Sequence, residues 1–207
     1  MNPVLTVGID GEEFRIYDPG GGGRVAKILR SGAPYESHVL ADMRSLGLSG
    51  TAVDVGANIG NHTVWLAAVC GMDVQAFEPY RHGKCEANVT LNRLWDRVVL
   101  HKVALGEETD VATRLGGNVM RVGSGDIPVV TLDSFGLTGV SLLKVDVEGM
   151  EEQVIRGGVD TISRERPVIY AEAWDDTYRD TIDRLLSPFG YRHAKQFRWH
   201  QNRWDPS

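Results

Sequence analysis

The chain has 207 residues, 42% of them hydrophobic and 24% charged, with a formal net charge of −6. That length and apolar content suffice for one substantial core, so a single domain over residues 1–207 is expected. The negative balance argues against a nucleic-acid or anionic-membrane partner, because such binding is driven by a basic face.

Residues 1–48 read as an N-terminal hairpin and a covering helix. Glu13–Tyr17 and Arg24–Leu29 are strand-like, and Pro19 with four following glycines reads as the hairpin loop between them. No Gly-Lys-Ser/Thr follows those glycines, so they are not expected to cradle phosphate. Ala33-Pro-Tyr-Glu36 leads into a helix over Ser37–Leu46 that could lie over a pocket. Glu36 either reaches that pocket or sits solvated at the helix start.

From residue 49 strands and helices alternate. The strand Thr51–Asp54 precedes the turn Gly56-Ala57-Asn58-Ile59-Gly60 and a helix near Asn61–Val69. The strand Asp73–Phe77 leads to a helix over His82–Leu91, and a third strand is expected over Arg97–Val103. Alternation with near-continuous apolar strands predicts an α/β, Rossmann-like fold, a mostly parallel sheet with helices on both faces. The stretch Glu107–Val130, with glycines at 116, 117, 123 and 125, reads as an inserted antiparallel hairpin.

A strand over Val140–Val147 and a helix over Met150–Arg156 follow. Glu148, Glu151 and Glu152 lie at the positive end of that helix, Arg156 lies in its last turn, and Gly157 reads as its stop. A fifth strand over Pro167–Ala173 and a helix over Asp175–Leu186 come next. The tail Tyr191–Trp204 interleaves aromatic and basic residues, a pattern that can bind nucleic acid by stacking and phosphate contacts. It reads better as a last hairpin, with Tyr191, Phe197 and Trp199 packed and Arg192 and Arg198 in water. No apolar run approaches the roughly 18–20 residues of a membrane span, and the polar N-terminus lacks a signal-peptide apolar region; a soluble cytoplasmic protein is expected. Cys70 and Cys85 show neither metal-ligand spacing nor a disulfide framework and read as buried or idle thiols.

The turn after the first core strand departs from G-x-G-x-x-G, since position 61 is Asn. It therefore suits a nucleoside without a phosphate. Glu78-Pro79 ends the second strand, where a carboxylate holds a ribose diol in this topology. Asp54 could accept hydrogen bonds from a cationic amine or from the turn's own backbone. The ligand that joins an adenosine ribose to an ammonium is S-adenosylmethionine. The alternative is that Asp54 braces the turn and Glu78 caps the next helix. In Leu142-Leu-Lys-Val-Asp-Val-Glu-Gly-Met-Glu151, residues 146 and 148 share a strand face with Lys144 if extended geometry persists to 148.

Together these motifs resemble the FkbM-type S-adenosylmethionine-dependent methyltransferases. The chain carries their Asp-Val-Gly-Ala-Asn-Ile-Gly loop as Asp54–Gly60, and Phe-Glu-Pro as Phe77–Pro79. Leu105-Gly106, Thr131–Asp133 and Lys144–Gly149 match three more family features, over a resemblance that covers roughly residues 30 to 175. The resemblance implies a class I methyltransferase fold and O-methylation of a hydroxyl on a small molecule or glycan, with RNA or protein as the rival acceptors and a cofactor-binding module without catalysis as a further alternative. It also implies cofactor contacts from Asp54, Gly56, Ala57, Asn58 and Gly60 on the methionine side, Glu78 and Pro79 at the ribose, and Val103 and Ala104 flanking the adenine. Glu36 joins the pocket, and Thr63 either meets the cofactor carboxylate or caps its helix.

Methyl transfer to an alcohol needs a base near the methyl group. Asp146 is the first candidate, then Glu148 and Glu172, with His62 possible because its pKa lies near neutrality. Each has a plainer role available: Asp146 capping a helix or holding the cofactor's ammonium, Glu148 complementing a helix dipole, Glu172 paired with Arg166. No metal site is expected, because a hard cation needs more oxygen ligands than these carboxylates offer. A homo-oligomer is possible.

Overall fold

The structure is a computed structural model that describes residues 3–116 and 119–207; Gly117, one of the insertion's glycines, lies outside the described residues. Strands β1 (Val4–Ile9) and β2 (Glu12–Tyr17) form the N-terminal hairpin. Its turn is Asp10-Gly11, with φ of 51° and 86°, the pair of left-handed residues that a two-residue hairpin turn demands. The tetraglycine segment is therefore not a hairpin loop. Arg24–Leu29, expected as a strand, is helix α1 (Arg24–Arg30), which buries Ala26 and Leu29. The apolar spacing of Val25, Ala26, Ile28 and Leu29 fits either period over so short a run, and packing decided.

Helix α2 (Ser37–Ser45) follows, then β3 (Thr51–Val55), α3 (Asn61–Ala68), β4 (Asp73–Phe77), α4 (His82–Leu91) and β5 (Val98–His101). The chain then breaks away sooner than expected. Residues 104 and 105 form β6 (Ala104–Leu105) of a separate sheet with β7 (Asp110–Gly116), β8 (Val119–Val122) and β9 (Ile127–Val130), in the order β6-β9-β7-β8. The insertion is antiparallel from β8 through β7 to β9, as expected, but β9 also pairs parallel to β6, so it is a small sheet and more than a hairpin. The main sheet resumes with β10 (Val140–Val145), α5 (Glu151–Arg156), α6 (Val159–Glu165), β11 (Val168–Glu172), α7 (Asp176–Leu186), β12 (Tyr191–Gln196) and β13 (Gln201–Pro206).

Seven strands order as β12-β13-β11-β10-β3-β4-β5, parallel except where β13 inserts antiparallel between β11 and β12. This is the mostly parallel sheet, covered by helices on both faces, that the sequence leads one to expect. Alternation along the strands sorts the core into two faces. Ala52, Val74, Leu142 and Tyr170 pack with Val39, Leu40, Val64, Trp65 and Val89 of α2, α3 and α4. Val53, Val55, Leu143, Val145 and Ile169 pack with Val154, Ile162, Ile182 and Leu186 of α5, α6 and α7. Each fully buried Val, Leu or Ile among them contributes about 1.5–3 kcal/mol, so both layers are needed.

Gly157 follows α5 but is not a left-handed stop; its φ is −76°. A Cβ there would stand 1.9 Å from the Gly106 carbonyl oxygen, so glycine is required for the approach of two backbones. The C-terminal hairpin forms as expected: Tyr191 is buried, Phe197 packs on the core, and Arg192 and Arg198 are exposed. Trp199 stacks on Tyr35 with ring centroids 5.5 Å apart, tying the tail to the segment before α2. Trp204, in β13, is fully buried.

Candidate active site

Strand order reverses at β3, whose crossovers lead to β4 on one side and whose other neighbour is β10. A crevice opens beyond the carboxyl ends of strands at such a switch point. Here it is a cleft of about 260 Å³, lined by Gly56, Ala57 and Asn58 after β3, Glu78 and Pro79 after β4, Asp146 and Glu148 after β10, and Glu172 at the end of β11. Tyr35, Glu36 and His62 line it from the α2–α3 side.

The turn after β3 is built for close approach. Gly56 has φ of 82°, and a Cβ on it would stand 1.9 Å from the Asp146 carbonyl oxygen. The Asp146 N–H donates to Val55 O at 3.0 Å, which holds the two loops together. Asn58 takes φ of 56°, and its N–H donates to Glu78 Oε2 at 2.7 Å. Glu78 Oε1 accepts from the N–H groups of Tyr80 and Arg81 at 2.6 and 2.8 Å, just before α4. This carboxylate braces both the glycine turn and the start of the next helix while keeping acceptor capacity toward the cleft. Arg81 crosses to Asn58 Oδ1 at 3.1 Å, a contact with no signal in the sequence.

Asp54 lies behind the cleft. It is fully buried, accepts from Thr63 Oγ1 at 2.6 Å, and faces Lys144 Nζ at 3.4 Å. Thr63 spends its hydroxyl on Asp54, so it neither caps α3, whose N-cap is Gly60, nor points into the cleft. Lys144 Nζ also stands 3.4 Å from Asp146 Oδ2. Burial would push the Lys144 ammonium down, but Asp146, Asp54 and Glu36 outweigh it and hold its pKa above the usual lysine range.

Glu36, left-handed at φ of 56°, is 2% exposed and stands 3.3 Å from His62 Nε2. Glu36 Oε2 and His62 Nε2 make no hydrogen bond among the described residues. Burial raises the Glu36 carboxyl above its ordinary value. Burial, with Lys144 nearby, pushes His62 down to about 3, so the near-neutral titration expected for this histidine does not hold.

Strand β10 ends at Val145, two residues sooner than expected, and Glu148 turns left-handed at φ of 58°. Residues 144, 146 and 148 therefore do not share one strand face, although Asp146 and Glu148 both reach the cleft. The turn is closed by Glu151, which accepts from the N–H groups of Val147 at 2.9 Å and Gly149 at 3.1 Å, and from Tyr178 Oη at 2.9 Å. Its sequence signal was its place at the helix start; its grip on the preceding loop needed the fold. Gln201 Nε2 reaches Asp146 Oδ2 at 3.4 Å from β13.

Glu172 is the most perturbed carboxyl of the cleft. Burial, then repulsion from Asp146, pushes it up to about 8. It has no pairing with Arg166, whose guanidinium binds the carbonyls of Phe189 and Ser207 at 2.7 and 2.9 Å. Val103 and Ala104 stand outside the cleft lining, because Ala104 is drawn into β6 of the small sheet. Gly60 supports the turn at φ of 85° without lining the cleft. Burial raises the thiols of Cys70 and Cys85 to about 11 and about 12, which leaves them protonated.

Residues 54–193, more than half of the chain, match the methyltransferase FkbM domain. Among solved structures, the methyltransferase FkbM of Methylobacillus flagellatus KT aligns at 24% identity and TM-score 0.57 over 76% of this chain. The chain spans 44% of that protein's length. Precorrin-6y C5,15-methyltransferase of Geobacter metallireducens GS-15 aligns at 14% identity and TM-score 0.54, covering 91% of this chain and 93% of its own. Human methyltransferase 10 domain containing protein aligns at 13% identity and TM-score 0.50, covering 81% and 76%. These likenesses establish a shared fold. No curated protein sequence matches the chain.

Proposed function

This chain belongs to the FkbM methyltransferase family, and from that premise we propose that it uses S-adenosylmethionine to methylate a hydroxyl oxygen of a small molecule or glycan. The observation that carries this reading is Glu172, a carboxyl at the end of β11 that lines the cleft with Asp146 and is raised by burial, and then by that neighbour, to about 8. A base whose pKa lies close to the working pH is what an alcohol acceptor needs.

The cleft suits the cofactor. Glu36, Glu78, Asp146, Glu148 and Glu172 line it against the cations Lys144 and Arg81, a balance that favours a positively charged ligand. Glu36 Oε2 and His62 Nε2 are buried polar atoms with capacity to spare at one end, fit for an ammonium. Glu78 stands at the other end, fit for a ribose diol. When bound, the cofactor would supply a sulfonium methyl group for transfer to the acceptor oxygen, with the neutral thioether as leaving group.

The residues then divide the work. Glu172 takes the hydroxyl proton and returns it to solvent. Burial, and then repulsion from Asp146, which Lys144 and Gln201 orient, keep Glu172 in the titratable range. Gly56 and Asn58 present backbone where a side chain would block approach.

Calorimetric titration tests the cofactor: S-adenosylhomocysteine should bind and NAD should not. Labelled cofactor incubated with extract fractions, followed by mass location of the product, should give a methyl ether. Glu172→Gln should keep S-adenosylhomocysteine affinity and lose transfer; stabilisation by NAD alone would overturn the reading.

A further inference from the structure

We propose that the acceptor is a hydroxy amine, its protonated amine held by the carboxylates of Asp146 and Glu148 while its hydroxyl reaches Glu172; this rests on the reading of the cleft as a methyltransferase site and narrows that reading to acceptors that carry a positive charge. The cleft is lined by the carboxyl groups of Glu36, Glu78, Asp146, Glu148 and Glu172 against the cations of Lys144 and Arg81. Both cations are committed elsewhere. Lys144 Nζ stands 3.4 Å from Asp146 and equally close to Asp54, a further buried carboxylate behind the lining, so its one charge is divided. Arg81 donates to Asn58 Oδ1 at 3.1 Å, on the Glu78 side. S-adenosylmethionine brings an ammonium and a sulfonium against one carboxylate, a single net positive charge that Glu36 and Glu78 can absorb. Asp146, Glu148 and Glu172, after β10 and β11, then keep an excess of negative charge at the acceptor end.

Two groups from different elements register that excess. Glu172, whose Oε2 is buried without a hydrogen-bond partner among the described residues, is raised by burial, then by Asp146, with smaller contributions from Glu151 and Glu148. Tyr35 is pushed up to about 12 by burial, then by Glu36 and Asp146. The walls are firm. Glu151 accepts from the N–H groups of Val147 and Gly149, which anchors the loop that carries Glu148. Tyr35 is fixed by its stack on Trp199 and by the Asn61 side chain, which bonds its N–H and C=O at 3.1 and 2.9 Å. Val25, Tyr35 and Val147 give a carbon skeleton an apolar wall. Among the described residues no group of three His, Cys, Asp or Glu side chains could hold a metal ion, so the excess suits an organic cation. A neutral alcohol would leave it uncompensated, and an anionic acceptor would meet like charge.

The test uses the intact chain and three series that vary charge on one skeleton: tyramine, ethylphenol and hydroxyphenylacetate; ethanolamine, propanol and glycolate; glucosamine, glucose and glucuronate. Binding is read by ligand-observed NMR with and without S-adenosylhomocysteine, and transfer by labelled cofactor. In at least one series the amine should bind about tenfold or more tighter than its neutral partner, the carboxylate weakest, and added salt should weaken the amine alone. Glu148→Gln should cost the amine about tenfold in affinity with S-adenosylhomocysteine affinity unchanged, and Glu148→Lys should turn the preference toward the carboxylate, a reversal that a merely structural role would not produce. Amines that bind no better than their neutral partners in every series, absence of binding included, or a preference that Glu148→Lys leaves unmoved, would overturn the proposal while S-adenosylhomocysteine binding leaves the methyltransferase reading standing. Failure of S-adenosylhomocysteine to bind would instead remove that earlier reading, with the charge preference still scored by NMR alone.

Discussion

Lys144 and Asp54 stand directly opposite each other on the neighbouring parallel strands β10 and β3, Nζ 3.4 Å from Oδ1, with side chains 2% and 0% exposed. Both point to the face covered by α3, and Thr63 of that helix completes the group. Lys144 is the floor of the cleft and holds Asp146 from below, with Asp54 behind it and outside the lining.

Removing the cation should therefore be costly. Lys144→Met leaves Asp54 and Asp146 facing each other without compensation, a loss of about 3–5 kcal/mol. Urea unfolding followed by circular dichroism should show a lower midpoint at unchanged slope. Arg156→Ala, which removes the solvent-facing pair with Glu152, should shift the midpoint immeasurably.

Glu172 sets a pH signature. Acting as a base it must be ionised, so transfer should rise as pH passes about 8. Glu172→Gln should lower kcat by about 10²–10⁴ and flatten that profile. Stability moves the other way. A carboxyl raised in the folded state stabilises below its ordinary value of 4.5, and that contribution is lost as pH rises through about 8. Glu172→Gln should therefore gain stability relative to wild type between those limits, measured by thermal melts across pH.

His62 should behave as a neutral residue. With its folded value near 3 against an ordinary 6.5, its contribution is fully present above 6.5 and is lost as pH falls toward 3. Ring-carbon NMR shifts of His62 should show no inflection between pH 5 and 8. His62→Phe should remove part of the stability lost on acidification; an inflection near 6.5 would contradict the assignment.

Two glycines separate strain from collision. Gly71 has φ of 70° with nothing within 4 Å of an added Cβ, whereas Gly56 combines φ of 82° with the 1.9 Å approach to Asp146 O. Gly71→Ala should cost about 1–2 kcal/mol from the left-handed backbone alone. Gly56→Ala should cost more and should also abolish S-adenosylhomocysteine binding, because the loops after β3 and β10 must part. Thermal melts and calorimetry on both variants check this.

Local pattern determined a good deal. Strand β4 and helix α4 fall on the residues expected from sequence, because an apolar run between charged ends and a long helical period leave little choice of register. The Asp54–Gly60 turn, Glu78 at the next strand end and the carboxylates at 146 and 148 were legible, since a βα turn and a strand terminus fix where those side chains emerge. Where local signals were short, the fold decided. Arg24–Leu29 fits strand or helix equally and became α1 by packing Ala26 and Leu29. Val103 and Ala104 follow an apolar strand, yet the small sheet captured Ala104.

Identity and charge state parted company in the same way. The sequence by itself determined the family, the sheet that carries the site and most of the groups around the cleft, because strand ends and turns are set by neighbours in the chain. Only the tertiary structure decided what those groups do. Asp54 is withdrawn behind Lys144, Thr63 is spent on Asp54, His62 is driven neutral beside Glu36, and Glu172 is raised beside Asp146. Burial and the distance between charges from different strands are created when the sheet and its helices close, and no stretch of sequence contains them.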